Sequence, residues 1–199
     1  MSSVASSNTG STSHTLLGRV RKREASAWQR FAEIYTPLVY AWARRGGLQA
    51  SDAADIVQEV FHRVADRIDQ FGCDREGGSF RGWLRAIARN EVRLLYRRRG
   101  QRAEFAGAEI DPQDLAEIPD WDRDDSEESA TADRHYVLHR TLRVIRADFE
   151  EPTWQSFWRT VVDGEPPAVV AGEVGLSAGA VRQAKLRVLC RLRQELQGF

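Results

Sequence analysis

The chain has 199 residues, room for two compact domains of under about 100 residues each. Lys plus Arg and Asp plus Glu both number 29, so no net basic charge advertises a polyanionic partner, and any such signal lies in how the charges are placed. No run of about 18 apolar residues occurs, strand-like alternation is scarce, and Cys73 and Cys190 lack the paired spacing of a disulfide framework or a zinc site. The expectation is a soluble, cytoplasmic, all-α protein with reduced thiols.

In chain order, residues 1–15 are rich in Ser and Thr without an apolar core, which reads as a disordered leader rather than a secretory signal. A first helix runs through Trp28, Phe31, Tyr35, Leu38 and Trp42, steps of three and four that build one apolar face. Pro37 predicts a kink in it and Gly46-Gly47 its stop. A second helix opens at Ser51 and buries Val57, Val60, Phe61, Val64 and Ile68, with Asp52, Asp55, Glu59, His62 and Asp66 on its other face. After a loop from Phe71 to Gly78, a third helix starts at its cap Ser79 and continues through Trp83, Leu84, Ile87, Leu94 and Leu95 to Gly100.

From Glu104 to Asp133 twelve acidic residues stand against one basic residue, Arg123, with Pro112 and Pro119 and little periodicity. This marks an exposed linker, within which Ile110, Leu115, Ile118 and Trp121 are free to dock. Two readings of the acids stand side by side. They keep a tether soluble and extended, or they screen the cationic segments on either side of it. Periodicity returns at Tyr136, Leu138, Leu142 and Ile145, and a helix begun near Pro152 contributes Trp154, Phe157, Trp158 and Val161. Gly164 and Pro166-Pro167 separate it from the last segment.

That segment, Pro167 to Leu186, has the small and apolar residues of a helix-turn-helix. Ala171 lets two helices approach, Gly175 takes the positive φ of the turn, Ser177 caps the next helix and Val181 packs inward. The helix begun at Ser177 offers Arg182, Gln183, Lys185, Arg187, Arg191 and Arg193, of which Arg and Gln can read guanine and adenine edges while Lys and further Arg neutralise phosphates. An amphipathic hairpin with a solvated basic face is the plainer alternative.

The third helix carries a second cationic signal, because Arg81, Arg85, Arg89, Arg93 and Arg97 recur at every fourth position, followed by Arg98, Arg99 and Arg102, with only Glu91 against them. Like charges at this spacing cost about 0.2–0.5 kcal/mol per pair, which points to a polyanion as the partner. Trp83 and Tyr96 among the arginines can stack on bases. Here too a solvated face, with Trp83 in the core, is the alternative.

The stretch Asp52-Ala-Ala-Asp55-Ile-Val-Gln58-Glu59-Val-Phe61 resembles the signature of the extracytoplasmic-function sigma factors. Phe80-Arg-Gly-Trp83-Leu-Arg-Ala-Ile-Ala-Arg-Asn90 is similar to that family's promoter-melting helix, and the C-terminal helix-turn-helix to its reader of the upstream element. The resemblance implies two small helical domains, 16–102 and 134–199, joined by an acidic linker over 103–133. It implies core RNA polymerase, through the clamp helices and flap of its large subunits, and promoter DNA as partners, with an anti-sigma factor as a further partner the family admits and no membrane.

Carried onto this chain, Asp52, Asp55, Gln58 and Glu59 dock on the clamp helices. Asn90 and the loop 71–78 capture an unstacked base of the minus-ten element, and Arg85, Arg89, Arg93 and Arg97 hold the strand and adjacent duplex. Ser177, Arg182, Gln183, Lys185, Leu186 and Arg187 belong to the minus-thirty-five reader. The chain departs from the family pattern in its longer, Gly-rich loop from Gly72 to Ser79 and in Ala184-Lys185, where an Arg followed by an apolar residue is common.

No cofactor, metal or catalytic group is expected. His135 and His139 are four apart without a third ligand, and Asp55 and Glu59 lie near no nucleophile motif or phosphate-cradling loop. Two rival readings remain, a helix-turn-helix regulator that never binds polymerase and a small recombinase. The first lacks an evident sensing or dimerisation domain, and for the second Tyr96 is a weak nucleophile candidate.

Overall fold

The computed structural model describes residues 15–71, 79–105 and 126–197. Most of the Ser/Thr-rich leader, the loop 72–78 with Cys73, and residues 106–125 of the acidic segment lie outside them. Among the described residues every regular element is helical. These are α1 (Leu16–Arg21), α2 (Ala25–Arg45), α3 (Ala50–Arg67), α4 (Phe80–Phe105), α5 (Glu127–Ile145), α6 (Glu151–Val161), α7 (Pro167–Val174) and α8 (Ala178–Leu196), with a 3-10 turn at Arg146–Asp148. None is long and apolar enough to cross a membrane. The contacts define two compact units, Arg23–Val137 and Leu138–Gln197, the latter together with the N-terminal segment up to Lys22.

In the first unit the core takes Phe31, Tyr35, Leu38 and Trp42 of α2, Ile56, Val57, Val60 and Val64 of α3, and Phe80, Leu84, Ile87 and Val92 of α4, while Trp28, Phe61, Trp83, Leu94 and Leu95 of the expected stripes are half-buried. Pro37 sits inside α2, which continues through it and stops at Gly46, and Gly47 follows with φ 80°. Phe80 is the hub of the core. Its ring centroid lies 5.9 Å from Phe31, 5.4 Å from Tyr35, 5.3 Å from Phe71 and 5.5 Å from Trp83, so the start of α4 is fixed against α2 and Phe71. The Ser79 hydroxyl accepts the Gly82 N–H at 3.1 Å, the cap its position announces.

Three boundaries differ from the sequence expectation. α3 opens at Ala50, with Gln49 at the cap position, one residue before the expected opening at Ser51. α4 runs past Gly100 to Phe105, because one glycine weakens a helix without ending it. α5 begins at Glu127, well before Tyr136, with Ser126 Oγ accepting the Ser129 N–H at 3.1 Å and two glutamates in its first turn. The last eight residues of the expected linker are thus a capped helix start.

In the second unit Leu142, Ile145, Trp154, Phe157 and Val188 form the core that joins α5, α6 and α8, while Val170, Ala171 and Val181 close α7 on α8. Gly175 ends α7 with φ 72°, and Ser177 Oγ accepts the Ala180 N–H at 3.1 Å to start α8. α1, a helix the apolar spacing did not announce, packs against α8 and buries Leu16, Leu17 and Val20. Its length of six residues is too short for periodicity to show.

Candidate functional site

Three surfaces carry the residues that the sequence singles out. On α3, Asp55, Gln58 and Glu59 are exposed together with His62 and Asp66, because Ile56, Val57 and Val60 take the opposite arc of the helix into the core. Asp52 is not with them. It is buried at the edge of the apolar arc, and its Oδ1 meets Arg99 of α4 at 2.5 Å, an ion pair within the unit. A second tie joins the same helices, Arg63 Nε donating to Glu91 Oε1 at 3.0 Å, and this hydrogen bond is the main reason that the guanidinium is held still more firmly in its charged form.

The arginine row of α4 does not form one face. Four residues advance an α-helix by about 400°, about 40° more than a turn, so sixteen residues carry the row about 160° around the axis. Burial follows that drift: Arg81 and Arg85 are buried, Arg89 and Arg93 half-buried, and Arg97 exposed. Asn90 is exposed, and Trp83 is half-buried against Phe71 and Phe80. Tyr96 donates its hydroxyl hydrogen to the Gly46 carbonyl at 3.0 Å and so serves the packing of α4 on α2.

What covers the buried end of the row is a residue that sequence reasoning left among the linker acids. Asp133, on α5 and 3% exposed, accepts a hydrogen bond from Trp42 Nε1 at 3.0 Å and from Arg81 Nε at 2.9 Å. Arg45 donates to its other oxygen, Oδ1, at 3.4 Å, and Arg85 pairs with Oδ2 at 3.7 Å while its guanidinium lies 5.7 Å from the centre of the Trp42 ring.

On α8 the inward residues are Val181, Ala184 and Val188, which turns Arg182, Gln183, Leu186 and Arg187 outward as one stripe. Ala184 is in the core, which accounts for a small residue there. Leu186 is 57% exposed amid the polar groups, and Lys185 is half-buried on the flank. Arg187 donates to Thr153 Oγ1 at 3.3 Å, and Arg191 pairs with Asp148 at 3.0 Å and with the buried Glu195 at 2.7 Å, so Arg191 braces the unit. Ser177 spends its hydroxyl on the cap.

Ahead of α8, Arg159 Nε donates to Glu165 Oε1 at 2.7 Å and its NH2 lies 2.6 Å from Glu173. These bonds hold the guanidinium firmly charged and the Glu165 carboxyl below its ordinary value. The sequence also gave no hint of an open groove of about 430 Å³ between α5 and α6, lined by Leu142, Arg143, Trp154, Trp158 and Arg159, with the two indoles stacked at 6.0 Å.

Comparison with known proteins bears on these surfaces. The family model described as sigma-70 region 2 matches residues 31–102. The RNA polymerase sigma factor NccH of Alcaligenes xylosoxydans xylosoxydans is 29% identical over 187 residues, covering 94% of this chain and 96% of that protein. The RNA polymerase sigma factor CnrH of Cupriavidus metallidurans is 40% identical over 67 residues, 34% of each chain.

Proposed function

Since the chain belongs to the RNA polymerase sigma factors of the extracytoplasmic-function type, and so serves promoter-specific transcription initiation, we propose that its exposed surfaces divide the work of promoter engagement. Asp55, Gln58 and Glu59 of α3 dock on the clamp helices of core polymerase, where exposed carboxylates meet a basic partner surface without a desolvation cost inside the sigma unit itself. The groove lined by Trp154 and Trp158 takes the flap. Asn90 and the outer part of the α4 row, Arg89, Arg93 and Arg97, hold the minus-ten strand once a base leaves the stack, with Arg85 joining them as a phosphate contact.

The outward stripe of α8 reads the minus-thirty-five element in the major groove, and this stripe is the observation that carries the reading. A capped helix that turns Arg182, Gln183, Leu186 and Arg187 to one side presents bidentate guanidinium donors for guanine and a donor–acceptor amide for adenine beside an apolar contact for a thymine methyl group. An exposed leucine between arginines has no packing role inside the unit, and a thymine methyl gives it one. Lys185 on the flank suits a phosphate. The chain supplies no catalytic group in this reading, and the chemistry belongs to the polymerase.

Run-off transcription with purified core polymerase tests the proposal. Start sites that appear only on addition of this protein, and that shift or vanish with Arg182→Ala, are the expected result. Transcription by core that is unchanged by the protein at every promoter of its own genome overturns it.

A further inference from the structure

The strongest unassigned feature is the polar node under α5. Its buried residues are Ser129, Ala130, Asp133 and Val137, and among them Ala130 and Val137, three before and four after Asp133, flank the carboxylate with apolar contacts. That carboxylate accepts from the Trp42 indole and the Arg81 guanidinium and pairs with Arg45 and Arg85. The other side of the same turns, Glu127, Glu128, Ala132, Arg134, His135 and Tyr136, is exposed.

Holding a helix by a buried carboxylate is costly compared with a well-packed apolar side chain, because both charges lose their hydration. What the charged contact provides is exchangeability. Guanidinium groups and an indole N–H donate to a phosphate oxygen in the geometry in which they donate to a carboxylate oxygen, so a nucleic-acid strand is a direct competitor for this site, whereas it cannot replace an apolar side chain.

We propose that the first turns of α5 are a clasp, in which Asp133 occupies the place of a promoter-strand phosphate and keeps Arg81 and Arg85 covered until the strand displaces it. The inference rests on the reading of Arg85 as a strand contact. It deepens that reading by making Arg85 conditional, so that Arg93, Arg97 and Asn90 meet DNA first and Arg81 and Arg85 engage after α5 lifts. The free protein then binds single strands weakly, since its apparent affinity is the intrinsic one multiplied by the fraction of molecules with the clasp open.

The test uses the full chain without polymerase and a short fluorescein-labelled single-stranded DNA of mixed sequence, titrated over a salt series. Asp133→Asn removes the competing charge. Because that change also leaves arginines without a buried partner, Ala132→Pro serves as the second variant. Ala132 is exposed, so proline there breaks the backbone ladder of the first turns while leaving every charged group in place. Both variants, with helical content otherwise retained by circular dichroism, are expected to bind the strand more tightly. They should also steepen the slope of log affinity against log salt by about 0.7 for each cation released to it.

Adding Arg85→Ala should remove most of that gain. A folded Ala132→Pro variant that binds no more tightly than wild type, or a gain indifferent to Arg85→Ala, overturns the clasp. The underlying reading is scored separately in the holoenzyme. If Arg85→Ala weakens promoter complexes while neither clasp variant changes binding by the free protein, only the clasp fails. If promoter complexes are indifferent to Arg85→Ala, the assignment of Arg85 fails and takes the clasp with it.

Discussion

Asp52 and the pair Asp55 and Glu59 belong to one acidic motif yet should fail in different assays when mutated. The Asp52 side chain is 12% exposed and its partner Arg99 47% exposed. A hydrogen-bonded contact between charged groups contributes about 1.5–3 kcal/mol, and discounting for the solvent around Arg99 leaves about 1–2 kcal/mol for Asp52→Asn. In a unit of this size each kcal/mol lowers the melting temperature by about 4–8 °C. Asp55→Lys with Glu59→Lys, on the exposed arc, should change stability by no more than about 0.5 kcal/mol. The same double change sets like charges against the partner surface, which costs several kcal/mol, a loss of about a hundredfold or more in affinity for core polymerase. Urea denaturation followed by circular dichroism measures the first effect, and titration of labelled protein with purified core the second. Asp52→Asn with wild-type stability and weakened core binding would refute the separation, as would a double lysine variant that binds core like wild type.

Four further outcomes are expected. Alanine at Arg182 or Arg187 should cost about 1–3 kcal/mol and relax preference at one base pair if the side chain reads a base, or weaken all sequences alike if it holds a phosphate, as scored by binding to a promoter library. Gly175→Ala should destabilise by about 1–2 kcal/mol in chemical denaturation, because φ is 72° there while nothing lies within 4 Å of an added Cβ, so the cost is conformational alone. Phe80→Ala, which empties the hub of the aromatic cluster, should cost about 3–5 kcal/mol by the same measurement. Arg159 holds the Glu165 carboxyl below its ordinary value of 4.5, so the pair's contribution is complete above that pH and is lost as acidification carries Glu165 through its lower folded value. Acid titration of stability should therefore be flatter for Glu165→Gln than for wild type.

Which parts of this were legible follows from how far apart the interacting residues lie. The helix-turn-helix reads directly, since Gly175, Ser177 and Val181 act on neighbours within a turn or two and each residue type answers a local demand. The burial of Asp52 was available in principle. It stands four before Ile56 and eight before Val60, on the edge of the apolar arc, whereas Asp55, Gln58 and Glu59 fall on the far side. Grouping all four by charge concealed the angle. The α4 row misled for a related reason, because spacing by four looks like one face over two turns and ceases to be one over four.

Asp133 was beyond reach of pattern reading altogether. Its partners lie 52 residues away at Arg81 and 91 away at Trp42, and in the chain it is one more acid at the end of an acidic run. The charge pattern did suggest that acids of this segment screen the arginines, and among the described residues a single buried carboxylate does so with named partners. The difference matters physically. A diffuse cloud of exposed acids is weakened by salt at every position, whereas a site closed by one desolvated carboxylate is screened little, and it opens when a better ligand arrives. Salt alone should therefore leave the Asp133 contact largely closed, and a strand phosphate should not.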